Sequence, residues 1–241
     1  MKSVKPYSYL SLIYSYLMKA VDYGFWANYI KEIHETLGNK KDIALELAAG
    51  NCSLANYLEN YFYKLFVSDI SKEMLMSCSN NTLNKICCDM NKLPFKNKFD
   101  VIYSAFDSIN YLNNEKKLNE HFANMSSYLN EKGIFLFDAS LKNNSLKHIK
   151  YLNRKGTYKG IKYIQKSIFD PKSKIHTNNI KIKLENGQVL EEVHKQKIYD
   201  FYYYFEVLES NGFYVVECFD AFTFNNASEE SERVQFIVKR K

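Results

Sequence analysis

The chain has 241 residues, 46% hydrophobic and 25% charged, which suits one globular domain with a core of real size and room for an insertion. Its net charge of +6 and pI of about 8.8 come from basic residues spread along the chain, so the dense block of a nucleic-acid tail is absent. The five cysteines (Cys52, Cys78, Cys87, Cys88 and Cys218) are odd in number and form no C-x-x-C pair, which excludes a disulfide framework and a structural zinc and fits a reducing cytoplasm.

The start, "MKSVKPYSYLSLIYSYLMKAVDYGFW", is broken by tyrosines, serines and Asp22, so neither a leader h-region nor a membrane-spanning run is expected there. Over residues 8–37 apolar side chains return at three and four, predicting one or two amphipathic helices. "DIALELA" (42–48) reads as a buried strand and "SLANYLENY" as a helix. "KLFVSDI" (64–70) is a second strand, followed by the helix "SKEMLMSCSN" with Ser71 as its cap. "NKICCDM" and "KFDVIYSAF" (98–106) are the third and fourth strands. "EKKLNEHFANMSSYLN" is a helix, and "EKGIFLFDAS" (131–140) a fifth strand. This alternation predicts a doubly wound parallel α/β sheet.

From about residue 157 the period changes to two. "YKGIKYIQKSIFD", "KIHTNNIKIKLE" and "QVLEEVHKQKIYD", separated by "DPKS" and "NGQ", predict an inserted antiparallel β unit. "FYYYFEVLESNGF" then reads as a helix ending near Gly212, and "YVVECFDAF" and "ERVQFIVKRK" as two last strands. The expected division is a main domain of residues 1–144 and 201–241, with 1–37 as a helical cap, and an inserted lid of residues 145–200.

The segment "LELAAGNCS" is a strand-to-helix loop of small residues, where a ligand can approach backbone N–H groups. It holds one glycine, Gly50; Ala48 and Cys52 stand where others are usual, so close approach of a diphosphate is disfavoured. Asp69 ends the second strand, about 20 residues on, where a carboxylate receives ribose hydroxyls. Asp89 ends the third strand, where an acceptor can meet an adenine amino group. Glu46 lies within the first strand, where a carboxylate is rarely left unpaired. An acidic site with no basic residue in its loop suits a cationic nucleoside better than NAD or ATP. The bland readings are a surface strand-end for Asp69 and a core role for Trp26, the only tryptophan, whose alternative is a wall of the acceptor site. Asn110 and Tyr111 follow the fourth strand, where a polar pair could touch substrate. No H-E-x-x-H, G-x-S-x-G or P-loop motif occurs, and the five histidines have no metal spacing.

"LELAAGNCS", "VSDISKEML", "CCDM" and "FDVIYSAFDSINYL" resemble the successive motifs of class I S-adenosylmethionine-dependent methyltransferases. "YSYLMKAVDYGFWANYI" is similar to the N-terminal helix region of a bacterial small-methyltransferase subgroup, and "EEVHKQKIY", "LESNGF" and "SERVQFIVKRK" to its C-terminal portion. That subgroup also resembles sugar-amine N-methyltransferases and, more distantly, glycine N-methyltransferase. The resemblance implies a Rossmann-like seven-stranded sheet with the last strand antiparallel, the insertion roofing the site. It implies S-adenosylmethionine as cofactor and S-adenosylhomocysteine as product. Glu46, Ala48 and Gly50 would line the methionine and ribose part, Asp69 would take the ribose hydroxyls, Ile70 and Met74 would pack on the adenine, and Asp89 and Met90 would bound its edge. Phe106 and Asp107 would face the transferable methyl, Tyr14 would close over the site, His194 would face it, and Arg233 would lie near the cofactor pocket. Ala48 and Cys52 depart from the usual glycines and are expected to crowd the ligand slightly.

The function expected is methyl transfer by in-line attack, without a metal, to a small-molecule amine or other N or O nucleophile, with Tyr14 or His194 as base. The alternatives are methylation of RNA or protein, or a non-catalytic cofactor-binding or interaction protein. The fitting assemblies are a monomer or a homodimer.

Overall fold

Short apolar runs, buried on both faces, make the central sheet. The computed structural model describes residues 2–38 and 42–241; Met1, counted in the expected cap, lies outside them. The chain begins with β1 (Lys2–Val4) and a 3-10 turn at Leu10–Leu12, then α1 (Tyr14–Leu17) and α2 (Tyr23–Leu37). Next come β2 (Ile43–Leu47), α3 (Ala55–Leu58), β3 (Lys64–Asp69), α4 (Lys72–Met76), β4 (Asn84–Cys87) and β5 (Phe99–Ser104). A 3-10 turn at Ser108–Tyr111 leads to α5 (Glu115–Tyr128), β6 (Leu129–Ser140) and α6 (Lys142–Tyr151). Four strands follow: β7 (Arg154–Tyr158), β8 (Ile161–Asp170), β9 (Ile175–Lys183) and β10 (Val189–Lys197). The chain closes with α7 (Phe201–Ser210), β11 (Phe213–Asp220) and β12 (Arg233–Arg240).

The main sheet has seven strands in the order β11-β12-β6-β5-β2-β3-β4. Strands β2 to β6 pair in parallel, and β12, the last strand, runs antiparallel to β6. Successive side chains point to opposite faces. Leu45, Leu47, Ile102 and Phe137 therefore enter one apolar layer and Ala44, Val101, Tyr103 and Leu136 the other. Caps fix the helix starts: Asp22, Ser71 and Asn114 each accept a backbone N–H from the first turn of α2, α4 and α5. Among the described residues no helix is long and apolar enough to cross a membrane.

The second sheet has the order β1-β10-β9-β8-β7, antiparallel except for β1 beside β10. This corrects two expectations. The N-terminal region is not wholly helical, because residues 2–4 add a parallel strand to the lid. The expected boundary at residue 145 falls inside α6, which packs on β8. Besides this strand pairing, a buried side chain tethers the N-terminal region. Glu192 on β10 accepts the backbone N–H of Tyr7 (2.6 Å), Tyr9 (2.7 Å) and Leu10 (2.9 Å). A buried carboxylate requires such donors, and these amides have no helical partner of their own.

Candidate active site

The loops at the carboxyl ends of β2, β3, β4 and β5 surround a chamber of about 900 Å³. Open α/β sheets bind ligands at this end. The loop after β2 turns through three left-handed residues, Ala48 (φ 51°), Gly50 (φ 57°) and Cys52 (φ 59°). Ala48 and Cys52 hold that conformation at a cost of roughly 1–2 kcal/mol each. Gly50 lies over Met74: an added Cβ would stand 3.1 Å from Met74 Cε. Cys52 is fully buried beneath the loop with Leu54 and Ala55 and does not line the chamber. The expectation that it crowds a ligand is therefore wrong; its thiol fills the core.

Asp69 ties the loop to the next strand end, accepting the Gly50 N–H at 2.8 Å and the Ser71 N–H at 2.7 Å. Burial raises its carboxyl above the usual value, and these N–H donors oppose the rise. Asp89 accepts the Asn91 N–H at 2.9 Å and lines the same chamber, as do Met90, Met74 and the largely exposed Ile70. Glu46 projects in from β2, accepting the Tyr103 hydroxyl at 2.9 Å. Burial pushes its carboxyl up to about 8, against the pull of that hydrogen bond. The lysines around this chamber, Lys5, Lys72, Lys92 and Lys117, are all exposed.

A second chamber, about 480 Å³, lies between α2, the end of β5 and the inner face of the lid. Tyr7, Tyr14, Phe106 and Tyr111 border both chambers and form the wall between them. Phe106 (φ 60°) and Asp107 (φ 50°) are consecutive left-handed residues, strain of a kind that persists only where surroundings enforce it. Asp138 accepts the Asp107 N–H at 2.8 Å and an N–H of Arg233, whose Nη2 donates to Asp107 Oδ1 at 2.8 Å. Gln196 Nε2 donates to Asp107 Oδ2 at 2.6 Å. Burial raises the Asp138 carboxyl to about 6 even with Arg233 beside it. Trp26 stacks on Phe106, 4.3 Å between ring centroids, and lines this chamber, so it is core and wall at once.

A hydrogen-bonded line crosses the wall. The Tyr7 and Tyr111 hydroxyls are 2.8 Å apart, Tyr111 Oη is 3.2 Å from His194 Nδ1, and His194 Nε2 is 3.1 Å from Glu192 Oε2. Burial alone would raise the Glu192 carboxyl, but hydrogen bonds from His194 and the Tyr9 and Leu10 amides hold it below its ordinary value. An ionised carboxylate only accepts, so His194 carries its proton on Nε2 and offers Nδ1 as acceptor. The order of donation is then Tyr7 to Tyr111 to His194. Burial, reinforced by the Tyr111 phenol, keeps the Tyr7 hydroxyl well above the usual phenol range and therefore protonated.

Three expectations change. Asn110 lines neither chamber. It is fully buried, donates to the Ser140 and Lys197 carbonyls and accepts the Ser140 N–H, joining β6 to the end of β10, so it is not free for substrate. Arg233 borders the second chamber and not the first, its fork engaged by two aspartates. Tyr14 borders both chambers, yet burial raises its hydroxyl well above the usual value and it has no hydrogen-bonding base among the described residues. Tyr7, Gln196 and Asp138 were not legible as site residues: Tyr7 is one of several tyrosines in "YSYLSLIYSYL", with no period to single it out.

A family model described as a methyltransferase domain matches residues 44–133. A curated relative from Geobacillus sp. (strain WCH70), provisionally named a methyltransferase, is 26% identical over 97% of this chain and 100% of its own length. A solved S-adenosylmethionine-dependent methyltransferase from Clostridium acetobutylicum superposes with a TM-score of 0.80 at 25% identity, covering 97% of this chain and 98% of the other. The chain is a class I S-adenosylmethionine-dependent methyltransferase. A second solved structure, an amino pentose methyltransferase from Micromonospora echinaspora with its S-adenosylmethionine bound, shares the fold (TM-score 0.71, 12% identity, 95% and 96% covered). The residues present suit that cofactor: at Gly50 a Cβ would be crowded against Met74, and Glu46, Asp69 and Asp89 are among the carboxyl groups lining a chamber whose loop carries no basic residue.

Proposed function

We propose that the methyltransferase moves a methyl group to a small cytoplasmic molecule, an amine or another N or O nucleophile, held in the second chamber. The observation that carries this is the pair of chambers meeting at one aromatic wall. A space of about 480 Å³ is of the size that holds a small molecule. The amino pentose activity of the Micromonospora protein supports the same class of acceptor, and five free thiols suit a reducing compartment.

Asp69 would hold the ribose hydroxyls, Ile70, Met74, Asp89 and Met90 the adenine, and Glu46, Ala48 and Gly50 the rest of the cofactor. The cofactor supplies a methyl carbon made electrophilic by its sulfonium and leaves as S-adenosylhomocysteine, a neutral thioether at sulfur. The chain aligns the acceptor against the wall, excludes water and takes a proton. An acceptor N–H⁺ passes its proton to Tyr7 Oη; Tyr7 passes its own to Tyr111, and Tyr111 to His194 Nδ1. The imidazolium so formed is balanced by Glu192. Tyr14 packs as wall.

Two results test the cofactor half. Asp69→Ala is expected to weaken S-adenosylmethionine binding by roughly tenfold or more, because hydrogen bonds to a charged acceptor contribute about 1.5–3 kcal/mol each. Calorimetry on a protein that melts normally reads this, and unchanged affinity removes Asp69 from the site. The second result is a pH profile. Free Glu46, at about 8, is protonated at neutral pH. A cation favours its ionised form, so binding below that pH releases a proton. Affinity should therefore rise with pH, by up to about tenfold per unit for one proton, and level off above 8. Glu46→Gln should lose that portion of the slope, while the ligand's own titration remains in both proteins. Superimposable profiles would defeat the assignment.

The acceptor half is tested by incubating labelled S-adenosylmethionine with a cell extract divided into metabolite, RNA and protein fractions. Label is expected among the metabolites. Label in RNA or protein, or no transfer despite bound cofactor, would overturn the proposal.

A further inference from the structure

Of the two guanidinium groups lining the second chamber, one has no carboxylate beside it among the described residues. Asp22 caps α2, and Asp107 and Arg233 are paired with each other. Arg154, at the start of β7, has no carboxylate partner among the described residues. Its Nε donates to Gln165 Oε1 at 2.8 Å. Gln165 is its cross-strand partner on β8, 7% exposed, and donates in turn to Asn178 Oδ1 on β9 at 3.2 Å. Asn178 pairs with His194 on β10. A polar row thus crosses the lid's inner face from Arg154 to His194, each strand giving one side chain, and all four line the chamber.

With Nε committed to Gln165, the two terminal nitrogens of Arg154 remain. They form a fork that matches a carboxylate. A guanidinium oriented from behind by a buried amide is a built receptor, unlike a mobile surface charge. We propose that Arg154 anchors a carboxylate of the methyl acceptor, an inference that rests on the methyl-transfer reading above. A monoanion suits the chamber. A phosphate monoester, with a charge near −2, would leave about one negative charge unmatched by this single guanidinium. The strands carrying Arg154 and His194 are three spacings apart, about 14 Å between backbones. The acceptor therefore has its acid at one end and its nucleophile at the other. Trp26, Leu152 and Phe222 give its body an apolar wall.

The test is the labelled transfer to the metabolite fraction, run with wild type, Arg154→Gln and Arg154→Lys. Labelled product is expected to shift in mass on carbodiimide coupling to an amine and to resist phosphatase. Arg154→Gln should raise KM for that metabolite by roughly tenfold or more, with a smaller change in kcat. Arg154→Lys, which keeps the charge and loses the fork, should fall between. Calorimetry should give both variants the wild-type affinity for S-adenosylmethionine, because Arg154 does not border that chamber. Product without a carboxyl group, phosphatase-sensitive product, or an unchanged KM in both variants would overturn the anchor and leave methyl transfer standing. Absence of any product despite bound cofactor would overturn the methyl-transfer reading itself.

Discussion

Exchanging His194 for glutamine is expected to slow methyl transfer by about a hundredfold or more at saturating acceptor, the usual contribution of a positioned base. Cofactor affinity should stay close to wild type, since His194 borders the second chamber and not the first. Glutamine is the informative replacement because its amide can still donate to Glu192. That keeps the buried carboxylate partnered and its hold on the Tyr7, Tyr9 and Leu10 amides intact. What it loses is the basic nitrogen 3.2 Å from the Tyr111 hydroxyl. Tyr111→Phe and Tyr7→Phe interrupt the same line one and two steps earlier. They should slow the reaction too, and combining either with His194→Gln should add little, as for groups acting as one unit. Steady-state kinetics with calorimetric cofactor affinities decide it. A kcat within about tenfold of wild type would remove His194 as the base.

Arg233→Met should destabilise the protein by about 3–5 kcal/mol, the cost of removing one partner from a buried ion pair. At roughly 2–4 °C per kcal/mol for a chain of this size, the Tm should fall by about 6–20 °C. The guanidinium lies between Asp107 and Asp138, and Asp138 is 1% exposed. Without it two carboxylates face each other, and the left-handed turn at Phe106 and Asp107 loses a brace. Burial already raises Asp138 to about 6, and losing the cation raises it further. A carboxyl whose native value lies above its unfolded value loses stability as pH rises through the native value. The deficit of the variant should therefore shrink as pH falls. Asp138→Asn in the same chain should recover much of the loss. A Tm change below about 2 °C would mean that water or rearrangement replaces the arginine.

The parallel sheet was legible because its determinants are local. "IALEL" and "DVIYS" are short and apolar, as buried strands are, and Asp69 ends β3 as expected, whereas β4 stops at Cys87 and Asp89 stands two residues beyond it, in the loop. The lid's strands were legible from their period of two, which also placed Glu192, His194 and Gln196 on one face.

Which face turns inward was decided by the tertiary structure. A polar face is buried here because donors arrive from far along the chain: the Tyr7 amide reaches Glu192 across 185 residues, and the Asp107 carboxylate meets Gln196 and Arg233 across 89 and 126. Arg154 and Tyr7 are equally silent in the sequence, one a basic residue on an edge strand, the other a tyrosine among tyrosines. Each gains its meaning from a partner on another strand. The sequence alone determined strands, helices and the acidic loop ends, since these follow from nearest neighbours and periodicity. The second chamber belongs to the tertiary structure, because a buried charge is tolerable only beside a counter-charge or hydrogen-bond donors, and local patterning carries no record of which distant residue supplies them.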